Sequence, residues 1–312
     1  MGRFKFVLSR PIQLIPVLFG ISIVTFVMVH SIPGDPVRTL LGSKATPEAI
    51  ERIRAEFGLD QPVWLQYVYF LENLTQGEMG VSVVYKVPVL QLVFDRLPAT
   101  LFLLGYGVTL ALLFTIPLAI VATLYRGRLP DHLIRVLSTS GLGFPVFWLG
   151  IMLMIVFSVW LGLFPVSGFG EGFFGHLHSL FLPSFAIALA LSAVLTRNLR
   201  ASLLAELDSD HISTARAKGL PARWIFVRHV FRNSLIPTIN LLGVNLGWLI
   251  GGTVVVESVF SVPGLGSLLV QSIFARDYMI VQMITLVFAC ATVMINFLVD
   301  VATVSLDPRI KL

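Results

Sequence analysis

Six long, nearly uncharged apolar runs constrain this chain more than any other feature. They lie near 10–31, 99–124, 135–161, 181–200, 236–257 and 281–304, and each is long enough to cross ~30 Å of hydrocarbon as a helix of about 20 residues. Hydrocarbon offers no partner to a free peptide group, so each run is expected to be helical. Pro16, Pro117, Pro145, Pro183 and Pro237 fall inside or at the ends of these runs and predict kinks, which are tolerated where neighbouring helices satisfy the freed carbonyls. Only 12% of the residues are charged, half the roughly one quarter of a soluble domain. The expected class is therefore an all-α integral membrane protein of six transmembrane helices.

Lysine and arginine set the orientation. In the short connections between runs they favour one side by fifteen to one, and that side is cytoplasmic by the positive-inside rule. Both termini are then cytoplasmic and 32–98 is an outward, periplasmic insertion. The first run follows Arg3, Lys5 and Arg10 and has no small-residue cleavage site before Pro33-Gly34, so it reads as a retained anchor. The net charge of +5 forms no continuous basic stripe, and no nucleic-acid partner is implied. Cys290 is the one cysteine, which excludes an internal disulfide and a cysteine-based metal cluster. With no linker and no internal repeat, residues 1–312 read as a single membrane domain.

Within 32–98, Thr46 as N-cap, Pro47 at the first helical position, early acids and Gly58 at the end predict a short helix. A second is predicted from Pro62 to about Leu74, with Trp64, Tyr67, Val68 and Leu71 on one stripe.

The segment 201–235 is the polar exception. Asp208-Ser209-Asp210-His211-Ile212-Ser213-Thr214-Ala215-Arg216-Ala217-Lys218-Gly219-Leu220-Pro221 has an acidic N-terminus, basic residues in its last turn, a glycine stop and a proline restart, which together predict a short capped helix. Pro221 to Asn233 predicts a second, with Trp224, Val227 and Phe231 on one stripe and Arg228 and Arg232 beside it. Two readings fit these residues. One is a basic connector resting on anionic headgroups; the other is a docking site, since Thr214, Ala215 and Ala217 are small where a lipid-facing helix carries bulky apolar groups.

The motif Thr-Ala-Arg-Ala-Lys-Gly-Leu at 214–220, followed by Arg-His and then Arg-Asn-Ser-Leu-Ile-Pro, resembles the cytoplasmic loop of the inner-membrane permease subunits of binding-protein-dependent ABC importers. The resemblance runs the length of the chain and is nearest to the peptide, nickel and glutathione branch. It includes Pro33-Gly34-Asp35-Pro36, Gly58-Leu59-Asp60-Gln61-Pro62, Pro98-Ala99-Thr100-Leu101, Phe260 to Gly266, Arg276-Asp277-Tyr278, Leu298-Val299-Asp300 and Asp307-Pro308-Arg309-Ile310. His211, Ser213, Glu78 and Val262 depart from the usual pattern. The resemblance implies a type I importer permease fold in the bacterial inner membrane. It also implies a coupling helix that inserts into an ATPase subunit, with Asp210, Thr214, Ala215, Arg216, Ala217, Lys218, Gly219 and Leu220 as the coupling residues. The implied partners are a second homologous permease, two ABC ATPase subunits, a periplasmic solute-binding protein and membrane lipid, with ATP and Mg bound by the ATPases.

The chain itself has no G-x-x-x-x-G-K-[ST] phosphate loop and no catalytic triad or acid–base pair, so no catalytic residue and no cofactor is expected. An ion-coupled secondary transporter is the alternative, but the runs carry no ionisable groups through their centres. Glu257 and Asp300, near span ends, are read as buried helix-end partners, and His176 with His178 as incidental rather than metal-ligating. The cavity is expected to be lined by uncharged groups, with selectivity, for short peptides or related solutes, residing largely in the binding protein.

Overall fold

The computed structural model describes residues 3–31, 46–56 and 60–306, and these form helices joined by short turns. Pro33-Gly34-Asp35-Pro36, the Gly58 stop with Leu59, and Asp307 to Ile310 lie outside the described residues, as do the side chains of Arg3, Lys5 and Arg10. In chain order the helices are α1 (Arg3–Ser31), α2 (Pro47–Glu56), α3 (Val63–Gln76), α4 (Val89–Leu124), α5 (Leu129–Gly141), α6 (Val146–Trp160), α7 (Gly172–Ser179), α8 (Phe181–Leu207), α9 (Asp210–Ala217), α10 (Ala222–Val259), α11 (Leu265–Phe274) and α12 (Tyr278–Leu306). Four of them, α4, α8, α10 and α12, are long and apolar enough to cross a membrane, and α5 with α6 makes a fifth if the bent pair counts as one span.

The centre of the bundle is the α4–α8 pair. Along α4 the buried face reads Leu103, Gly107, Ala111, Thr115, Ala119 and Thr123, one residue in four. Facing it on α8 are Ser184, Ala186, Ile187, Ala188, Leu191 and Leu195. Without a hydrophobic drive between helices in lipid, close backbone approach supplies the packing energy, and small residues permit it. Gly107 marks the tightest point, where an added Cβ would lie 3.0 Å from Ile187 Cγ2. Opposite faces of these helices stay apolar and exposed, as at Leu101, Leu113 and Leu124.

Two expectations need correction. The run 135–161 is not one helix: α5 ends at Gly141, α6 starts at Val146, and the two cross at 104°. Between them lies Leu142-Gly143-Phe144-Pro145, with Pro145 extended at φ −61°, ψ 140°. Proline disfavours the helical conformation in the residue before it, and the flanking glycines lower the cost of the turn. Likewise, 221–233 is not a separate helix ahead of a span at 236–257. It is the first third of α10, which runs through a π-helical stretch at Phe226–Phe231 into Arg232–Val259.

The outer elements are pinned by polar contacts. α3 starts after Pro62 and ends at Gly77, φ +76°, close to the predicted 62–74. It lies against α1, where Tyr67 Oη and Ser22 Oγ are 2.7 Å apart and Tyr67 stacks edge-on with Phe26. The turn at 80–88 is latched to the start of α12: Ser82 Oγ donates to Asp277 Oδ2 at 2.6 Å and Val84 N–H reaches the same oxygen. His176 and His178 on α7 point apart, donating to the Phe169 and Leu163 carbonyls. They tie α7 to the preceding loop.

Candidate functional site

α9 forms where the sequence places it. Ser209 is its N-cap residue, but its hydroxyl turns back to the Glu206 carbonyl at 2.6 Å, and no side-chain cap forms. The C-terminus is a complete Schellman arrangement. Gly219 sits at φ +74°, its N–H donates to the Arg216 carbonyl, and Leu220 N–H donates to the Ala215 carbonyl. The carbonyls at the helix end are satisfied, and the chain turns sharply into Pro221.

One face of α9 is anchored to the bundle. Ile212 (0% exposed) and Ala215 are buried with Leu199 and Leu203 of α8, Ile225 and Val230 of α10, and Ala119 of α4. Glu206, the penultimate residue of α8, joins α8, α9 and α10 by polar contacts. His211 Nε2 lies 2.9 Å from Glu206 Oε1, and Asn233 Nδ2 donates to that oxygen at 2.6 Å. An exposed Arg126–Asp208 pair at 3.3 Å adds little in water. An eight-residue helix has no stability of its own; burial of Ile212 and the Glu206 contacts hold it in place.

The other face is free. Asp210, Ser213, Thr214 and Ala217, spaced i, i+3, i+4, i+7, are exposed together with Arg216, Lys218, Gly219 and Leu220. Seven of the eight predicted coupling residues are therefore available to a partner. Ala215 is not: it faces inward. Thr214 donates its hydroxyl to the Asp210 carbonyl one turn back. Ile212, Glu206 and Asn233 were missed by sequence reasoning; Ile212 as the one bulky apolar residue in a polar octapeptide was the available signal.

Above α9 lies a second charged junction. Asp131 (1% exposed) takes a bidentate clasp from Arg200, Nε to Oδ1 and Nη2 to Oδ2, both 2.7 Å, with Gly127 N–H on Oδ2 and Arg135 3.5 Å from Oδ1. It fastens the α4–α5 turn to α8. At the far end of α10, Glu257 is fully buried. Its Oε1 accepts from Thr100 Oγ1 at 2.6 Å, and its Oε2 accepts from the N–H groups of Gly266 and Ser267 at 2.7 and 3.0 Å. The carboxylate thus satisfies the first amides of α11, as an anion at a helix N-terminus does. A Cβ on Gly264 would collide with that carboxylate, and one on Gly266 with the backbone of Val254. The Phe260 to Gly266 motif is thereby explained, and Glu257 is the buried helix-end partner expected. Asp300 lies half-buried on α12. Among the described residues no group of three or more His, Cys, Asp or Glu side chains converges to hold a metal.

Residues 115–312 match the family described as the binding-protein-dependent transport system inner membrane component, and residues 3–104 match its N-terminal membrane component. The glutathione transport system permease protein GsiC of Escherichia coli strain K12 is 39% identical over 307 residues, covering 98% of this chain and 99% of that protein. The GsiC of Shigella dysenteriae serotype 1 is also 39% identical over the same length and coverage. Among solved structures, an amino acid ABC transporter with histidines superposes with a TM-score of 0.55 at 17% identity, covering 68% of this chain and 93% of that one. The methionine ABC transporter MetNI, in inward-facing conformations, gives 0.54 at 16%, covering 70% and 97%. At such identities the two structures speak to the fold alone.

Proposed function

This chain belongs to the family of inner-membrane components of binding-protein-dependent transport systems, and on that premise we propose how it works as the permease subunit of an ABC importer. Six spans cross the membrane with both termini in the cytoplasm, the bent α5–α6 pair and α1 counting as one span each. Residues 32–98 form a periplasmic insertion, and 201–235 form the cytoplasmic coupling loop within a single membrane domain. A second homologous permease completes the passage, two ATPase subunits bind ATP and Mg beneath it, and a periplasmic binding protein delivers the solute. The chain contributes no catalytic residue and holds no cofactor of its own.

The observation that carries this reading is the two-sided character of α9. Its outward face of Asp210, Thr214, Arg216, Ala217, Lys218, Gly219 and Leu220 is available to an ATPase. Its inward face, through Ile212 and Ala215, is locked to α4, α8 and α10. A rigid-body displacement imposed on α9 therefore moves three spans together. ATP shifts the equilibrium between inward and outward openings only by binding one arrangement of the ATPases more tightly. Short peptides or related solutes such as glutathione are the proposed cargo, by likeness to the glutathione permeases.

Vesicle uptake separates this reading from an ion-coupled carrier. Uptake is expected to persist when ion gradients are collapsed and to stop when ATP is withdrawn; the reverse pattern would overturn it.

A further inference from the structure

Between α5 and α8, at the end of the bundle nearest α9, is a cavity of about 490 Å³ whose lining is cationic. This size falls in the range of about 300–1,000 Å³ typical of small-molecule sites. It is lined by Arg135, Arg197, Arg200, His132, Ser138 and Thr196, among others.

The charges do not cancel. Among the described residues Asp131 is the one carboxylate bonded to this group, and Arg200 and Arg135 already share it. Arg197, near the cytoplasmic end of its span, is exposed and makes no hydrogen bond or ion pair among the described residues. An exposed guanidinium with no acidic partner, set in one cavity with two others, leaves positive charge for an anionic ligand to neutralise. Arg135 Nη2 donates to His132 Nδ1 at 2.7 Å, which leaves the Nε2 edge of this imidazole for another partner. Beside Arg197, the Thr196 hydroxyl is buried (2% exposed) and has no hydrogen-bond partner.

We propose that this cavity is an exit-side binding site for the carboxylate of the transported solute. Arg197 takes the charge in a bidentate pairing, and the hydroxyl of Ser138 serves the peptide amide groups. A guanidinium fork matches a carboxylate better than a point charge does. Arg135 and Arg200 raise the local potential while staying anchored to Asp131. The inference rests on the permease reading above, because the solute reaches this end of α8 only if the chain lines a passage.

The test uses the assembled transporter in liposomes of zwitterionic lipid, carrying Cys290→Ser and Val136→Cys, so that this chain has one reactive thiol on the cavity wall. An anionic methanethiosulfonate is expected to label Val136→Cys roughly tenfold faster than a cationic one of equal size, as two uncompensated positive charges nearby require. Dialanine is expected to slow labelling, and its C-terminal amide to leave the rate unchanged. Arg197→Gln should weaken the charge preference and abolish the protection, and Arg197→Lys should keep the full preference. Equal labelling by the two reagents, or equal protection by dialanine and its amide, overturns the site. Protection by short-chain phosphatidylglycerol but not dialanine overturns it in favour of a lipid headgroup. ATP-driven uptake is measured on the same liposomes. Uptake without carboxylate protection sinks the cavity alone, whereas ATP-independent uptake sinks the permease reading.

Discussion

Gly219→Val probes the proposed coupling helix where its geometry is least forgiving. Gly219 holds φ +74°, and an added Cβ would meet nothing within 4 Å, so the perturbation is conformational rather than a clash. An L-residue in the left-handed region costs about 1–2 kcal/mol, and a β-branched one sits at the upper end or beyond. The alternative is to abandon the conformation. That breaks the Gly219 N–H to Arg216 carbonyl and Leu220 N–H to Ala215 carbonyl bonds and redirects the chain entering Pro221 and α10. In either case roughly 2 kcal/mol is charged against the orientation of α9, comparable to the 1–3 kcal/mol by which linked sites communicate and equivalent to about thirtyfold in an equilibrium. The assay is ATP-driven uptake in proteoliposomes together with solute-stimulated ATP hydrolysis, normalised to protein in the membrane. Gly219→Val should lose both at normal abundance. Gly219→Asn, whose side chain tolerates the left-handed region, should retain most of both. Wild-type uptake by Gly219→Val would refute the argument that this turn sets the lever.

Ile212→Ala should cost about 2–5 kcal/mol of local packing, leaving ATP hydrolysis in place while uptake falls, because the helix still docks but no longer grips α8 and α10; unchanged uptake per ATP would contradict this. Glu257→Ala strands the Thr100 hydroxyl and the Gly266 and Ser267 amides, each worth about 1–3 kcal/mol when left unpaired, so the detergent-purified protein should melt markedly earlier, with Glu257→Gln milder. Removing Arg200 alone (Arg200→Met) should destabilise by about 3–5 kcal/mol by leaving Asp131 charged and buried. Pairing it with Asp131→Asn should recover much of that loss, a double-mutant cycle read by thermal melting. A strictly additive cycle would mean that the clasp at 2.7 Å carries no coupling.

Several features were legible in the linear chain because their causes are local. Apolar runs of sufficient length must be helical in hydrocarbon, and α4, α8 and α12 follow them, with α4 and α8 running past the predicted ends by ten residues at Val89 and seven at Leu207. The Thr46-Pro47 start, the Pro62 start and the Gly219 stop are turn chemistry within a few residues. The break at Gly141 to Pro145 was misjudged because a hydrophobic window weighs six apolar residues above two glycines and a proline. The merging of 221–233 into α10 was missed because Pro221 and Pro237 both resemble boundaries, and a π-helical stretch carries no sequence signature.

What the sequence determined alone was the solvent, the class and the position of the lever, since composition and capping act over one or two helical turns. The tertiary structure decided which residues share a face or a charge. It turned Ala215 inward, paired Thr100 with Glu257 across 157 residues and Asp131 with Arg200 across 69, and left Arg197 beside an unpaired Thr196 hydroxyl in a cavity. Those relations depend on how helices distant in the chain rotate against one another, and that rotation is set by small-residue packing between α4 and α8, which no single segment contains.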